Sequence, residues 1–338
     1  MINKKITILN IAEESGFSKS TVSKVLRKEP FVKKSTEQKI LKIIEKIGYR
    51  PDEIARSLVM KRNLKHIGLI VPDLANPSYI DLSSIIEEEC NKRDYSISIS
   101  RTGFSEETEK KYIEIFMQNR ASGIIIATPV SRSNYLNYLA NTKFPFVITY
   151  RIINNLKVDM VSLQYIKAAK DAINYLIKKN HKRIAFFTGK EKFYGKGRRL
   201  AGYKAALKDN NINVDEEIIL KDNTTIEGGY NAAKEFLKLR QRPSAIVAHN
   251  DYMAIGALEY FYEKNIKVPE EISIMGFDNI KMSSLKFINL TTVNLPFYEI
   301  GKKTSELLFS QIESKKNISA HKYLFDFTII ERGTVRKV

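Results

Sequence analysis

The chain carries one cysteine, Cys90, in 338 residues. A lone thiol cannot build an internal disulfide framework, which removes the small secreted disulfide scaffolds from consideration. Cys90 stands in the helical pattern "IDLSSIIEEECNKRD" and is expected to be a small, partly buried apolar residue rather than a reactive thiol. No apolar run reaches the roughly 18 residues that a membrane span requires. The opening "MINKKITILNIAEESGFSKS" lacks the uninterrupted apolar core and small-residue cleavage site of a signal peptide, so a cytoplasmic location is expected. Histidine is scarce: His66, His181, His249 and His321 show no metal-ligand spacing. No GxGxxG follows the first strand-like run, and there is no Walker A; "GKEKFYGKG" is glycine-rich but lacks the closing GKS or GKT order. No serine or cysteine nucleophile motif is present. These absences argue against an enzyme and imply neither cofactor nor metal.

What is abundant is positive charge. The formal net charge is +18, from 56 Lys and Arg against 38 Asp and Glu. Its position is more informative than its size. Residues 1 to 63 hold 15 basic and 7 acidic side chains, a net +8, and the other 275 residues carry the remaining +10. The first fifth is therefore the densest positive region, as expected of a nucleic-acid-binding head.

Within it, "SKSTVSKVLR", residues 18 to 27, has no acidic residue at all. Val22, Val25 and Leu26 give it one thin apolar stripe at helical spacing. Thr7 can cap a preceding helix, "ILNIAEES", whose Ile8, Ile11 and Ala12 share a face. Gly16 suits a tight turn, Phe17 can plug the gap between helices, and Ser18 is a natural N-cap for the second helix. A third helix, "STEQKILKIIEKIGY", has Ser35 as its cap and Ile40, Ile43, Ile44 and Ile47 on one face. The pattern is helix, glycine turn, helix, with the second helix polar outward. Its outward Lys19, Ser20 and Lys24, with Thr21 beside them, suit base edges and phosphates in a major groove. A merely solvated helix face fits the same pattern. The next stretch favours the groove. "YRPDEIARSL", residues 49 to 58, ends the third helix at a proline, lets Asp52 cap a short new helix, and finishes on Leu58. A short capped helix between domains is poor packing but a good hinge, with the leucine as a minor-groove wedge.

The segment from "TILNIAEESGFSKSTVSKVLRKEP" to "YRPDEIARSL" resembles the head and hinge of the LacI/GalR-family transcriptional regulators, with "VSKVL", "GYRP" and "ARSL" at that family's spacing. The resemblance implies base-reading positions at Lys19, Ser20 and Lys24, accompanied by Thr21, and hinge contacts from Arg56 and the intercalating Leu58. Two departures stand out: Arg27 replaces the asparagine usual after "VL", and Pro30 stands in a loop that often offers a polar or basic contact.

From His66 onward, apolar runs alternate with amphipathic stretches. "HIGLIVPD", "YSISISRT", "GIIIATP", "FPFVITYR", "MVSLQY", "KRIAFFTG", "EEIILKDNT", "SAIVAHND" and "ISIMGFDN" read as strands. The rhythm implies parallel sheets flanked by helices, in two doubly wound lobes. Ligands in such folds bind beyond the carboxyl ends of the strands, and a cleft between lobes is a favoured place. That rule selects Arg199 at a helix start after a glycine-rich loop, Asn250 after one strand, and Asp278 at the end of another. Donor fork, amide and carboxylate together suit a polyhydroxylated ligand. Tyr79 and Phe193 could add stacking surface. Each has a plainer reading: Asp251 or Asn250 as a helix cap, Arg199 in a surface ion pair, Asp278 capping a loop.

"IGLIVPDLANP", "GRRLAGY", "NDYMAIGAL", "VPEEISIMGFDN" and "LTTVNLPFYEIGKKTSELL" resemble the periplasmic-binding-protein-like core of the same family. That implies effector contacts at Arg199, Asn250 and Asp278, with a lean towards carbohydrate. Leu163 and Gln164 stand where the family often has Asp-Asn, so the polar contact there is altered or lost. The expected organisation is an all-α helix-turn-helix head, 1–50, a hinge helix and linker, 51–63, and an α/β effector-binding and dimerisation core, 64–338. Its lobes are expected to be discontinuous, 64–162 with 294–320 and 163–293 with 321–338. The expected function is a homodimeric repressor of a pseudo-palindromic double-stranded DNA operator, gated by a sugar or sugar phosphate, with no membrane partner. The alternatives are the same regulator under a phosphorylated carrier protein or a non-sugar corepressor, and, more remotely, a sugar receptor of transport.

Overall fold

The computed structural model describes residues 6–26, 29–49, 65–128, 134–190, 194–314 and 320–338. The chain divides into two compact units, Met1–Leu64 and Lys65–Val338.

In the first unit three helices, α1 (Ile8–Ser15), α2 (Lys19–Leu26) and α3 (Lys34–Ile47), enclose a small core of Ile11, Val22, Val25 and Ile40. Phe17, Ile43, Ile44 and Ile47 pack around it, so the apolar stripes read from the sequence meet each other. The Thr7 N–H donates to Asn10 Oδ1 at 2.9 Å, which fixes the start of α1. Gly16 ends α1 at φ +70°, its N–H bonded to the Ala12 carbonyl at 3.0 Å. A residue with a Cβ would be strained there. Ser18 caps α2 as expected, its Oγ accepting the Thr21 N–H at 3.1 Å. The third cap differs. The Lys33 carbonyl accepts from Thr36 and Glu37, so α3 begins at Lys34 and Ser35 lies inside its first turn.

The second unit alternates strand and helix. In chain order it runs β1 (His66–Val71), α4 (Pro77–Asn91), β2 (Ser96–Arg101), α5 (Glu106–Gln118), β3 (Gly123–Ile126), α6 (Asn134–Asn141), β4 (Phe146–Thr149) and β5 (Met160–Leu163). There follow α7 (Tyr165–Lys178), β6 (Ile184–Gly189), α8 (Tyr194–Asp209), β7 (Ile219–Asp222), α9 (Ile226–Leu237), β8 (Ala245–Ala248), α10 (Asp251–Glu263) and β9 (Ser273–Asp278). The last elements are β10 (Thr291–Asn294), α11 (Phe297–Ser314), β11 (Lys322–Phe325) and β12 (Thr328–Ile330).

The strands form two six-stranded sheets, ordered β11-β5-β4-β3-β1-β2 and β12-β10-β9-β8-β6-β7. All neighbours are parallel except β10 with β12, where Val293 faces Ile329. Helices cover both faces, which is why the central strands β3, β4, β8 and β9 are buried throughout. Edge strand β2, "SISISR", is instead largely exposed, being half-buried only at Ile97 and Ser100. Cys90 lies on the buried face of α4 at 1% exposure, and burial pushes its thiol up to about 11. It is a packing residue, not a nucleophile.

The chain passes between lobes three times. Strand β11 belongs to the first sheet, with Tyr323 opposite Val161, and β12 to the second. The last passage therefore falls at residues 326–327, not 320–321, and Leu163 stays in the first lobe with the rest of β5. "KYLFDFTII" reads as one extended stretch, and nothing in its pattern says that two sheets divide it.

Candidate nucleic-acid interface and ligand cleft

On the head, the buried Val22 and Val25 turn the opposite side of α2 outward. Lys19, Ser20 and Lys24 are exposed there, and no acidic residue occupies the first turn. Thr21 is half-buried, and its hydroxyl meets Ser18 Oγ at 2.9 Å. It is thus engaged in the cap, while its three neighbours are exposed. A short helix presenting Lys19 and Ser20 at its start and Lys24 in its last turn, all exposed, has the chemistry of a groove-reading element. Arg56 and Leu58 lie outside the described residues.

In the second unit a cleft of about 690 Å3 opens at the carboxyl ends of the strands of both lobes. The first lobe supplies Ser78 and Tyr79 from the N-terminal turn of α4, which Asn76 caps by accepting the Ser78 N–H at 3.0 Å. It also supplies Tyr150, just past β4 at φ +66°. The next residue, Arg151, pairs with Glu109 at 3.1 Å, both fully buried, which fixes the backbone that carries Tyr150. The second lobe supplies Arg199, residues 223–227 at the entry to α9, Asn250 and Asp278. Tyr165, at the start of α7, and Phe297, at the start of α11, also line it.

Of the residues expected from sequence, Tyr79, Arg199, Asn250 and Asp278 come together in this cleft; Phe193 lies outside the described residues. Arg199 stands in the second turn of α8, not at its start. Its Nη2 donates to Asp278 Oδ1 at 3.1 Å, its Nη1 to the His249 carbonyl, and its guanidinium lies 4.7 Å from the Phe277 ring centroid. The ion pair is buried, at 7% and 6% side-chain exposure. Asp278 sits at φ +108°, a conformation that ordinary residues avoid. Its second oxygen accepts from Ser78 Oγ at 3.2 Å, a hydrogen bond across the cleft between residues 200 positions apart. Burial raises the Asp278 pKa, and the charge and hydrogen bonds of Arg199 and then the Ser78 hydroxyl oppose that.

Asn250 does what its plainer reading supposed. Its Oδ1 accepts the Met253 N–H at 3.0 Å as the cap of α10, and its Nδ2 donates to the Thr224 carbonyl at 3.0 Å. Asp251 is not the cap. It is fully buried and accepts from the Ile280 N–H at 2.9 Å and the Thr292 hydroxyl at 2.6 Å, tying α10 to the end of β9 and to β10. Burial, then the charge of Asp278, pushes its pKa up to about 7.

Leu163 is buried and Gln164 donates to Asp326 at 3.1 Å; neither lines the cleft. Aromatic rings occupy much of the wall instead. Tyr150 meets Tyr79 edge-on at 5.7 Å and Phe297 at 6.3 Å. Burial pushes both phenols well above their ordinary pKa. Tyr150 and Phe297 were missed in the sequence, although Tyr150 follows a strand as Asn250 does. Ser78 carried no signal, because its partner is 200 residues away.

Residues 64–326 match the family described as periplasmic binding proteins and sugar binding domain of LacI family, and residues 7–52 match bacterial regulatory proteins, lacI family. The chain belongs to the LacI family. Catabolite control protein A of Priestia megaterium is 32% identical over 304 residues, 90% of this chain and 91% of the relative. The HTH-type transcriptional regulator RegA of Clostridium saccharobutylicum is 30% identical over 327 residues, 96% of this chain and 98% of the relative. The lac repressor dimer, solved bound to operator and the anti-inducer ONPF, superposes with a TM-score of 0.85 at 23% identity, covering 98% of this chain and all of that one. The last likeness establishes the fold: a helical head and two parallel-sheet lobes. As a LacI-family member the chain is a DNA-binding transcriptional regulator and not an enzyme. Among the described residues no helix is long and apolar enough to cross a membrane.

Proposed function

We propose that this LacI-family regulator is a homodimeric, cytoplasmic repressor that binds a pseudo-palindromic operator through α2 and the hinge, and that a carbohydrate in the inter-lobe cleft controls it. Lys19, Ser20 and Lys24 read bases or phosphates, and Arg56 and Leu58 contact DNA from the hinge. Tyr79, Phe193, Arg199, Asn250 and Asp278 form the effector site, with Asn250 chiefly ordering its wall. The observation that carries the effector reading is the Ser78–Asp278 hydrogen bond across a cleft walled by aromatic rings. A ligand hydroxyl donating to Asp278 competes with Ser78 for one carboxylate. Ligand binding and the relation of the lobes are then coupled through a differential contact, which any effector requires.

The dimer reading rests on another face. Tyr262 and Phe287 are each 84% exposed, beside Ile255, Leu258 and Met282. Two large rings left in water on one rim favour a covering partner. A second copy there would give the two-fold symmetry that a palindromic operator mirrors.

The experiment is selection of operator sequences from a random duplex pool by the full chain, followed by titration of that complex with sugars. Enrichment of an inverted repeat, with affinity altered by one sugar, is the expected result. Enrichment of a single asymmetric site would defeat the dimer, and indifference to every sugar would defeat the carbohydrate.

A further inference from the structure

The charge balance of the cleft bears on whether it can hold a sugar phosphate. Among the described residues lining it, Arg199 is the one Lys or Arg; its Nη atoms are committed to Asp278 and the His249 carbonyl, which leaves its buried Nε–H as the one cationic donor without a partner. Against it stand three carboxylates, Asp73, Glu227 and Asp278. Asp73 is partly balanced by Arg101 at 3.4 Å, itself not part of the lining. Glu227 is exposed in the first turn of α9. That turn could otherwise favour an anion, because helix N-termini carry partial positive charge. Here Glu227 occupies that position, and the Thr225 hydroxyl takes the Gly228 N–H at 3.1 Å. The remaining wall is neutral and amphipathic. Tyr150 is 5% exposed, lines the cleft, and its buried phenol oxygen has no hydrogen-bond partner among the described residues. A phenol can donate to or accept from a hydroxyl, and the rings of Tyr79, Tyr165 and Phe297 offer flat apolar surface to the C–H face of a ring.

We infer that the cleft selects an uncharged polyhydroxylated effector and rejects phosphorylated ones, with Glu227 and Asp73 as the residues that exclude the phosphate. The inference rests on the effector-cleft reading above and narrows it. A phosphate entering the cleft would meet, among the described residues, three carboxylates against a single cation, Arg199, whose charge Asp278 already balances, and like charges brought together in an interface are strongly unfavourable. A neutral sugar loses nothing by that field. It gains the Tyr150 hydroxyl and can exchange its own hydroxyls with Ser78 on Asp278.

The test uses the full chain and four sets of probes: neutral disaccharides (cellobiose, maltose, lactose, trehalose), neutral monosaccharides, phosphorylated sugars (glucose 6-phosphate, fructose 1,6-bisphosphate), and uncharged nucleosides (adenosine, cytidine). Each is screened by thermal shift and confirmed by titration calorimetry. The expected result is at least one neutral sugar that binds and phosphorylated sugars that bind at least about tenfold more weakly. Glu227→Lys should raise the ratio of phosphorylated to neutral affinity by about tenfold. Preferential binding of a phosphorylated sugar by the parent chain overturns the inference, as does a Glu227→Lys variant whose ratio is unchanged. Binding of a nucleoside alone supports charge selection but refutes the carbohydrate reading. No binding by any probe overturns both.

Discussion

Replacing Asp278 by alanine should do two things at once. Arg199 is buried against Asp278, and the Asp278 carboxylate is the charge within 4 Å that balances it. Removing one partner of such a pair leaves the other uncompensated and costs about 3–5 kcal/mol. The Ser78 hydroxyl also loses its acceptor across the cleft. For a unit of this size the loss corresponds to a melting temperature lowered by about 5–10 °C. Effector affinity should fall by at least about tenfold in the same variant, because the carboxylate proposed to accept the ligand hydroxyl is gone. Stability and response must therefore be separated by further variants. Asp278→Asn keeps the shape but removes the charge and leaves one carbonyl oxygen for the two donors, Arg199 and Ser78. The double variant Arg199→Leu, Asp278→Ala removes both charges and should recover most of the single variant's loss, since two apolar replacements leave no buried ion unpaired. Calorimetric melting of the ligand-free proteins, set out as a double-mutant cycle, reads the coupling directly. A ligand-free Asp278→Ala protein that melts like the parent, or a double variant whose losses simply add, would refute the claim that this ion pair sustains the cleft wall.

Replacing Lys19, Ser20 or Lys24 should cost about 1–3 kcal/mol on the selected operator and relax choice at one base position, measured by gel shift against a panel of single-base variants. Uniform weakening on every sequence would instead mark that residue as a phosphate contact. Operator affinity should also fall steeply between about 50 and 200 mM salt, and a log–log slope near zero would deny the role of the basic head. The Asp251 carboxyl is raised to about 7 in the fold against 3.8 ordinarily, so the folded state holds the extra proton between those values. Its contribution to stability is complete below pH 3.8 and is lost as pH rises through 7, a change of at most about 4 kcal/mol. Denaturant melts of Asp251→Asn should lack that component, and parent and variant curves that run parallel across the range would contradict it. A Cβ at Gly256 would sit 1.8 Å from the Ile226 carbonyl oxygen. Gly256→Ala should therefore force α9 and α10 apart and cost about 1–3 kcal/mol in melting experiments; an unchanged melting temperature would count against that close crossing.

Much of this molecule was decided locally and could be read locally. Helix and strand periods depend on residues a few positions apart, so Ile8, Ile11 and Ala12, or the run "HIGLIV", announce their elements without help from the rest of the chain. A helix cap is equally local. Ser18 is the right residue at the right offset from Thr21, and outward Lys19, Ser20 and Lys24 follow once Val22 and Val25 point inward. The strand-end rule placed Asn250 and Asp278 at the cleft for the same reason, since a doubly wound sheet sends every strand's carboxyl end to one side. What such rules could not supply was partnership at a distance. Asn250 and Asp251 are adjacent and chemically alike, yet one caps a helix and the other is buried beneath Thr292 and the Ile280 N–H, residues that reach it only after β8, β9 and β10 have paired in the second sheet. Ser78 and Asp278 stand 200 residues apart, and the allotment of "KYLF" to one sheet and "TII" to the other depends on which edges remained open, at β5 and β10. Hydrogen bonds and edge pairing between segments far apart in sequence leave no periodic trace in either segment, so the tertiary structure alone decides them.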